Sequence, residues 1–227
     1  MPNDRPHSLS SPPDALKAPR PPRVRDAELT RARVLESAEA LFARKGYDGT
    51  RLREVAEDAK VTVPLLCHHF HDKDTLYEAV ITRGLERFTN LGWDVLRRGT
   101  TAAEQIGGFV TGLLDLATRE AALTSILHRE MADGGVRARP LAERWITPLK
   151  EAAVNTLRAA QVRGEVRRVD PDLLVLHIVG AVIYPCLAGP LVQAVWGDDP
   201  QDPGFLERRK VALLDLLLPL VLALPAR

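Results

Sequence analysis

Apolar residues recur along this chain at intervals of three and four, and no stretch alternates at the two-residue step for long enough to suggest a sheet. Val34, Leu35, Ala38, Leu41 and Phe42 make a broad stripe on a first helix, predicted from about Asp26 to Lys45 and ended by Gly46. Leu52, Val55, Ala56 and Ala59 give a short second helix over Arg51 to Ala59, with the Thr50 hydroxyl placed to cap it. A third follows almost at once, from Val63 to Phe70. Thr62 is its cap, Pro64 suits its first turn, and Leu66 and Phe70 are its buried pair. On that helix Pro64 and His68 point outward beside Leu65 and Cys67, an oddly uncharged face for a solvated surface. Asp72 then caps a fourth helix, with Leu76, Val80, Ile81, Leu85 and Phe88 on one side, that reaches about Arg97.

The pattern continues toward the carboxy end. Ile106, Phe109, Val110, Leu113, Leu114 and Ala117 step helically between Ala102 and Thr118, after an RRGTT stretch that ends one helix and caps the next. Glu120 to Met131 reads as a shorter helix broken by Asp133, Gly134 and Gly135. Leu141 to Arg163 reads as a long one that Pro148 should kink near Thr147. Gly164 stops it, and Asp170 followed by Pro171 starts the next. From Leu173 to Gly197 there is no charged residue when His177 is neutral, a length that could cross a membrane. Pro185, Pro190, Gln193 and the acidic flanks, Asp170, Asp172, Asp198 and Asp199, favour a buried or interface helix with no membrane. Phe205 to Leu224 is a last apolar helix carrying Asp215 and Pro219.

Two neighbouring helices this apolar exceed what one small domain covers, and a second copy of the chain would supply the missing surface. The expected fold is all-α: an amino-terminal three-helix helix-turn-helix domain joined to a larger helical ligand-binding and dimerisation domain, about nine helices in all. The expected boundaries are 1–24 for a disordered proline-rich arm, 25–72 for the helix-turn-helix domain and 73–227 for the remainder.

Composition changes this picture only locally. A net charge of +1 gives by itself no hint of nucleic acid. Between Leu16 and Arg33, however, Lys17, Arg20, Arg23, Arg25, Arg31 and Arg33 face only Asp26 and Glu28. The proline-rich arm is either a solvated leader or an arginine-bearing segment that reaches the minor groove. Two distant cysteines, Cys67 and Cys186, suit a reducing cytoplasm, and no signal peptide is apparent. No phosphate-cradling glycine loop, nucleophile elbow or paired-His zinc helix is present, so neither an enzyme nor a cofactor is expected.

Four segments together resemble the DNA-binding domain of TetR-family transcriptional regulators, from Thr30 to about Val80. They are LFARKGYDGT closing the first helix, LREVAEDAKVTV across the second and its turn, HHF in the third, and KDTL opening the fourth. The resemblance implies a homodimeric regulator, most readily a repressor, with its third helix in the major groove of a near-palindromic double-stranded DNA operator and a small-molecule effector. Residue by residue, it implies that Thr50 and Arg51 touch a phosphate, and that Val63, Pro64, Leu65 and His68 face base edges, with Thr62 at the start of that helix. His69 and Lys73 would bind the DNA backbone. Cys67 stands where the family usually has a phosphate-binding Tyr. Lys60 replaces the usual turn glycine, where a positive φ costs free energy. With few donors among the base-facing residues, contact with thymine methyls and shape readout gain importance over a bidentate Arg code. A metal on Cys67, His68, His69 and His71 is not expected, because the third helix should end near Phe70.

In the family the last two long helices of each subunit usually form a four-helix dimer interface. His128, Arg129 and Glu130 lie together in LHREMADG, and one helix cannot hide all three. They form either a solvated or salt-bridged turn, or one or two of them, His128 first, are polar anchors of a ligand cavity with Phe109, Met131, Trp145, His177 and Tyr184 in its walls. The HREM segment and the long helix after it loosely resemble a TetR subgroup that senses small molecules. The residues alone leave open a helical small-molecule-binding protein or enzyme without DNA binding.

Overall fold

Each apolar stripe lies on a helix. The computed structural model describes residues 22–222, and most of the proline-rich arm lies outside them. In chain order the elements are α1 (Pro22–Gly49), α2 (Leu52–Asp58), α3 (Val63–Phe70), α4 (Lys73–Arg98), α5 (Ala102–Arg119), α6 (Ala121–Ala132), α7 (Ala138–Val162), α8 (Pro171–Leu187), α9 (Gly189–Trp196) and α10 (Pro203–Val221). Among the described residues there is no sheet, only a single antiparallel bridge between Val166 and Leu222.

The first three helices close on one another over α4. Val34, Ala38 and Phe42 of α1, Val55 of α2, and Leu66 and Phe70 of α3 are buried with Leu76, Val80 and Ile81 of α4. Each large side chain hidden this way contributes about 1.5–3 kcal/mol. The same cluster takes in Ile126 of α6 and Ala138 of α7, so the amino-terminal head shares its interior with the rest of the chain. A second core gathers Val110 and Leu113 of α5, Leu157 and Ala160 of α7, Ile178 and Val182 of α8 and Val221 of α10, with Phe88 of α4 packed against it. The long helix α4 therefore belongs to both cores. It can do so because two of its buried residues are glycines. A Cβ at Gly84 would stand 2.5 Å from both methyls of Leu123 in α6, and one at Gly92 would strike Leu149 of α7.

Helix ends follow the capping logic of the sequence at Thr62, Asp72, Thr101, Asp170 and Asp202, whose side chains accept backbone N–H bonds from the first turns of α3, α4, α5, α8 and α10. Four expectations need correction. The first helix begins at Pro22, inside the arm predicted to be disordered, because a proline is tolerated in a first turn where its missing N–H has no helical partner. Its regular geometry breaks at Gly46, with φ 73 and ψ 179, as the sequence anticipated. Thr50 does not cap α2. Arg51 holds the N-cap position, while Thr50 is buried with its hydroxyl donating to the Gly46 carbonyl at 2.8 Å. Helix α7 begins at Ala138, three residues before the expected Leu141, and runs to Val162 with Pro148 inside it. The apolar run Leu173–Gly197 is two helices rather than one, α8 and α9, bent by 79° about Ala188, which brings the described residues to ten helices. No single helix among the described residues is long and apolar enough to cross a membrane.

The turn between α2 and α3 explains how a lysine substitutes for glycine. Val61 N–H reaches the Ala56 carbonyl at 2.9 Å and Lys60 N–H reaches Glu57 at 3.2 Å, the paired bonds of a Schellman stop, with Lys60 at φ 55. Lys60→Gly should therefore raise the unfolding free energy by about 0.5–1 kcal/mol, read as a higher urea midpoint with unchanged slope. Gly84→Val should lower it by about 1–3 kcal/mol in the same titration, because the added methyls strike the Leu123 side chain and force it to shift.

Candidate nucleic-acid interface and neighbouring cavities

Helix α3 is short, and one side of it is fixed. Leu66 and Phe70 are fully buried, four residues apart, so the opposite side must face solvent. Val63, Pro64, Leu65 and His68 are all exposed there, and Thr62 accepts the Leu65 N–H at 3.4 Å to hold the first turn. His69 is half-buried beside Phe70, with its ring 5.7 Å from that of His68. The face offers two aliphatic side chains, a proline ring and one imidazole, with Arg51 exposed at the start of α2 and Lys60 exposed in the turn. Cys67 is half-buried in the head's core. Thr50, expected at a phosphate, is only 1% exposed, so its side chain is withdrawn from this surface.

The chain leaves α3 through a strained residue. His71 has φ 58 and ψ −65, and Asp72 N–H bonds back to the Phe70 carbonyl, the three-residue geometry of a γ-turn. Such a conformation costs about 1–3 kcal/mol and persists because both flanks are fixed. Beyond it Asp72 accepts the Thr75 N–H at 2.8 Å, and this bond holds its carboxyl below the ordinary range. Lys73 then begins α4 with its ammonium 4.2 Å from the centre of the Tyr47 ring. Arg137, at the start of α7, lies 3.8 Å from the same ring and 3.6 Å from Asp74, to which the Tyr47 hydroxyl also donates. Among the described residues no three His, Cys, Asp or Glu side chains converge as a metal site.

Behind this cluster sits Glu130, which is 3% exposed. One carboxylate oxygen accepts the Tyr77 hydroxyl at 3.0 Å, and the other accepts the N–H groups of Arg137 and Ala138 at 3.2 and 3.1 Å. Burial first, and then the Glu130 charge, hold the Tyr77 phenol far above its ordinary range, so it remains a donor. Tyr77 packs edge-on against both Phe42 and Tyr47. Glu130 also lines a cavity of about 400 Å³ between α4, α6, α7 and α8, whose other walls are chiefly aliphatic, including Leu85, Phe88, Leu127, Ile146 and Val179.

The six residues expected to line a ligand cavity are not brought together. Met131 alone reaches this one. His128 borders a separate polar cleft of about 440 Å³ with Arg129 and Cys186, and Phe109 lines a narrow gap beside Leu149. Trp145 packs beside the head's core, while His177 and Tyr184 point outward from α8. The physical reason is helical phase. Leu174, Ile178 and Val182 carry α8 into the core, and residues 177 and 184, seven apart, share the opposite side. Tyr77 was not among the expected site residues, and Glu130 was only one of three candidate anchors. A signal existed for Glu130, since it lies four residues after Ile126 and seven after Leu123, on the buried side of α6.

Residues 34–80 match the family model described as bacterial regulatory proteins, tetR family. Over 178 residues the chain is 22% identical to a probable HTH-type transcriptional regulator of Bacillus subtilis, YttP, covering 78% of this chain and 86% of that protein. It is 29% identical over 175 residues to the HTH-type transcriptional repressor SCO4008 of Streptomyces coelicolor, covering 74% and 86%. The solved structure of AibR in complex with isovaleryl coenzyme A and operator DNA has the same fold, with a TM-score of 0.68 at 21% identity over 84% of this chain and 98% of that one. The likeness to the tetR family model thus falls on residues 34–80, which hold the helix-turn-helix of α2 and α3, and over most of its length the chain is similar to HTH-type transcriptional regulators.

Proposed function

We propose that this protein is a DNA-binding transcriptional regulator that works in the cytoplasm as a homodimer on a near-palindromic operator, and that it is a repressor released by a small molecule in the α4–α8 cavity. The observation that carries this reading is the exposed side of α3. Val63, Pro64, Leu65 and His68 stand free above the fixed pair Leu66 and Phe70. Arg51 and Lys73 flank them as phosphate partners, and His69 can add a backbone contact. The repressor sign is supported by the likeness to the transcriptional repressor SCO4008, and joint sensing of DNA and a small molecule by the complex solved for AibR.

The second copy fits the carboxy-terminal helices. On α8, Leu173, Leu176 and Tyr184 are exposed, and on α10, Leu216 and Leu220. Arg209 of α10 donates to the carbonyls of Ala181 and Val182 in α8, both at 3.0 Å, which ties the two helices side by side. An apolar surface on two adjacent helices is what an isologous four-helix contact requires. Pairing there would set two α3 helices apart by a fixed distance, about 34–36 Å when they lie one DNA turn apart. An effector acts only through its different affinity for correctly and wrongly spaced dimers, so effector and operator must weaken each other equally. The path between them is short: Glu130 in the cavity wall holds Tyr77 and the start of α7, and Arg137 there shares the Tyr47 ring with Lys73.

Selection of bound duplexes from a random pool should return a site with two-fold symmetry. Lys73→Ala should weaken binding to every duplex and reduce the slope of log affinity against log salt by about 1, whereas His68→Ala should change the preferred bases at a cost of about 1–3 kcal/mol. Unchanged affinity in both folded variants would remove α3 from the interface. Leu176→Glu should give a folded monomer in sedimentation that has lost operator binding at concentrations where the parent binds fully. A dimer surviving that substitution would place the contact elsewhere.

A further inference from the structure

The α4–α8 cavity has charged residues in its wall, and what matters for a ligand is whether any of them remains unmatched. Glu120 is paired with Arg87, which also bonds Glu39 at 2.9 Å. Glu130 accepts three hydrogen bonds from Tyr77, Arg137 and Ala138. Arg139, at the rim, is largely exposed and engages Glu143 at 2.9 Å, so water screens whatever charge it offers. The rest of the wall is aliphatic or aromatic apart from Thr124, the one hydroxyl among the lining residues. A carboxylate or phosphate moved into this space would lose its hydration and meet the like charges of Glu120 and Glu130, while an ammonium would have to compete with the three donors already on Glu130 and with Arg87 on Glu120.

We infer that the cavity selects an uncharged, largely hydrocarbon molecule carrying at most a hydroxyl or carbonyl group, which Thr124 can meet, and that it excludes ionic head groups of either sign. This rests on the proposal that the cavity is the effector site of a regulator. A volume of about 400 Å³ suits a molecule with a single chain or a few fused rings rather than one bearing a nucleotide.

The test uses the full-length protein, the neutral fluorescent probe N-phenyl-1-naphthylamine, and three competitors of equal chain length used below their micelle thresholds: 1-dodecanol, dodecanoate and dodecyltrimethylammonium. The alcohol is expected to displace the dye at a concentration at least about tenfold lower than either ion. Dye binding is expected to vanish in two variants that fill the cavity from different helices, Ala142→Trp and Val179→Phe, each checked for folding by its thermal melt. Equal or better displacement by either ion, dye binding that persists in a folded filling variant, or no dye binding at all would overturn the inference. Operator binding is measured on the same sample without dye. Loss of DNA preference with intact alcohol selectivity would refute the regulator while sparing the ligand class, and the reverse result would do the opposite.

Discussion

The buried carboxylate of Glu130 is the constraint on which the two halves of the molecule depend. It is a charge in an apolar interior, tolerable because one phenol and two backbone N–H groups converge on it. Those three donors come from α4 and from the start of α7, so satisfying one side chain of α6 fixes three helices at once. Removing any donor would leave an under-bonded anion where water cannot easily follow, which makes the arrangement far less forgiving than an aliphatic contact in the same place. Arg87 repeats the device on a smaller scale, joining Glu39 of α1 to Glu120 at the head of α6.

These polar ties explain why α4 can serve as a lever. Its first turn carries Lys73 and Asp74 next to the end of α3, its second carries Tyr77, and its middle, at Gly84 and Gly92, is pressed directly against Leu123 of α6 and Leu149 of α7. A helix held this closely along its length moves as a rigid piece. A ligand that spreads the walls formed by Phe88 and Ile146 acts on α4 and α7 together, and whatever those helices do is passed to the Tyr47 ring where Lys73 and Arg137 meet.

Much of this was legible in the sequence. The limits of α3 were read to the residue, because a Thr-x-Pro start and a Leu66–Phe70 pair leave little choice, and the caps at Asp72, Thr101 and Asp170 each sit directly before a helical stripe. The positive φ of Lys60 followed from the resemblance, which puts a glycine at that turn position. The cavity was not legible in this way. His177 and Tyr184 looked like walls because α8 is apolar on every side, and such a helix has no pattern to say which side is inward. Thr50 was misplaced for a related reason: a hydroxyl before a helix can cap forward or bond backward, and here the Gly46 break put a free carbonyl within reach behind it.

The aliphatic part of the exposed α3 face would, in the proposed base-reading role, have a thermal consequence. Where many DNA-binding helices present guanidinium groups, α3 presents Val63 and Leu65, whose natural counterparts in the major groove are the methyl groups of thymine. Contacts of that kind draw on the release of ordered water, carry a negative heat-capacity change and weaken on cooling. Base discrimination by this helix would thus be sharpest in the warm part of the organism's range and blunted in the cold, while the phosphate grip of its cationic flanks stayed nearly constant.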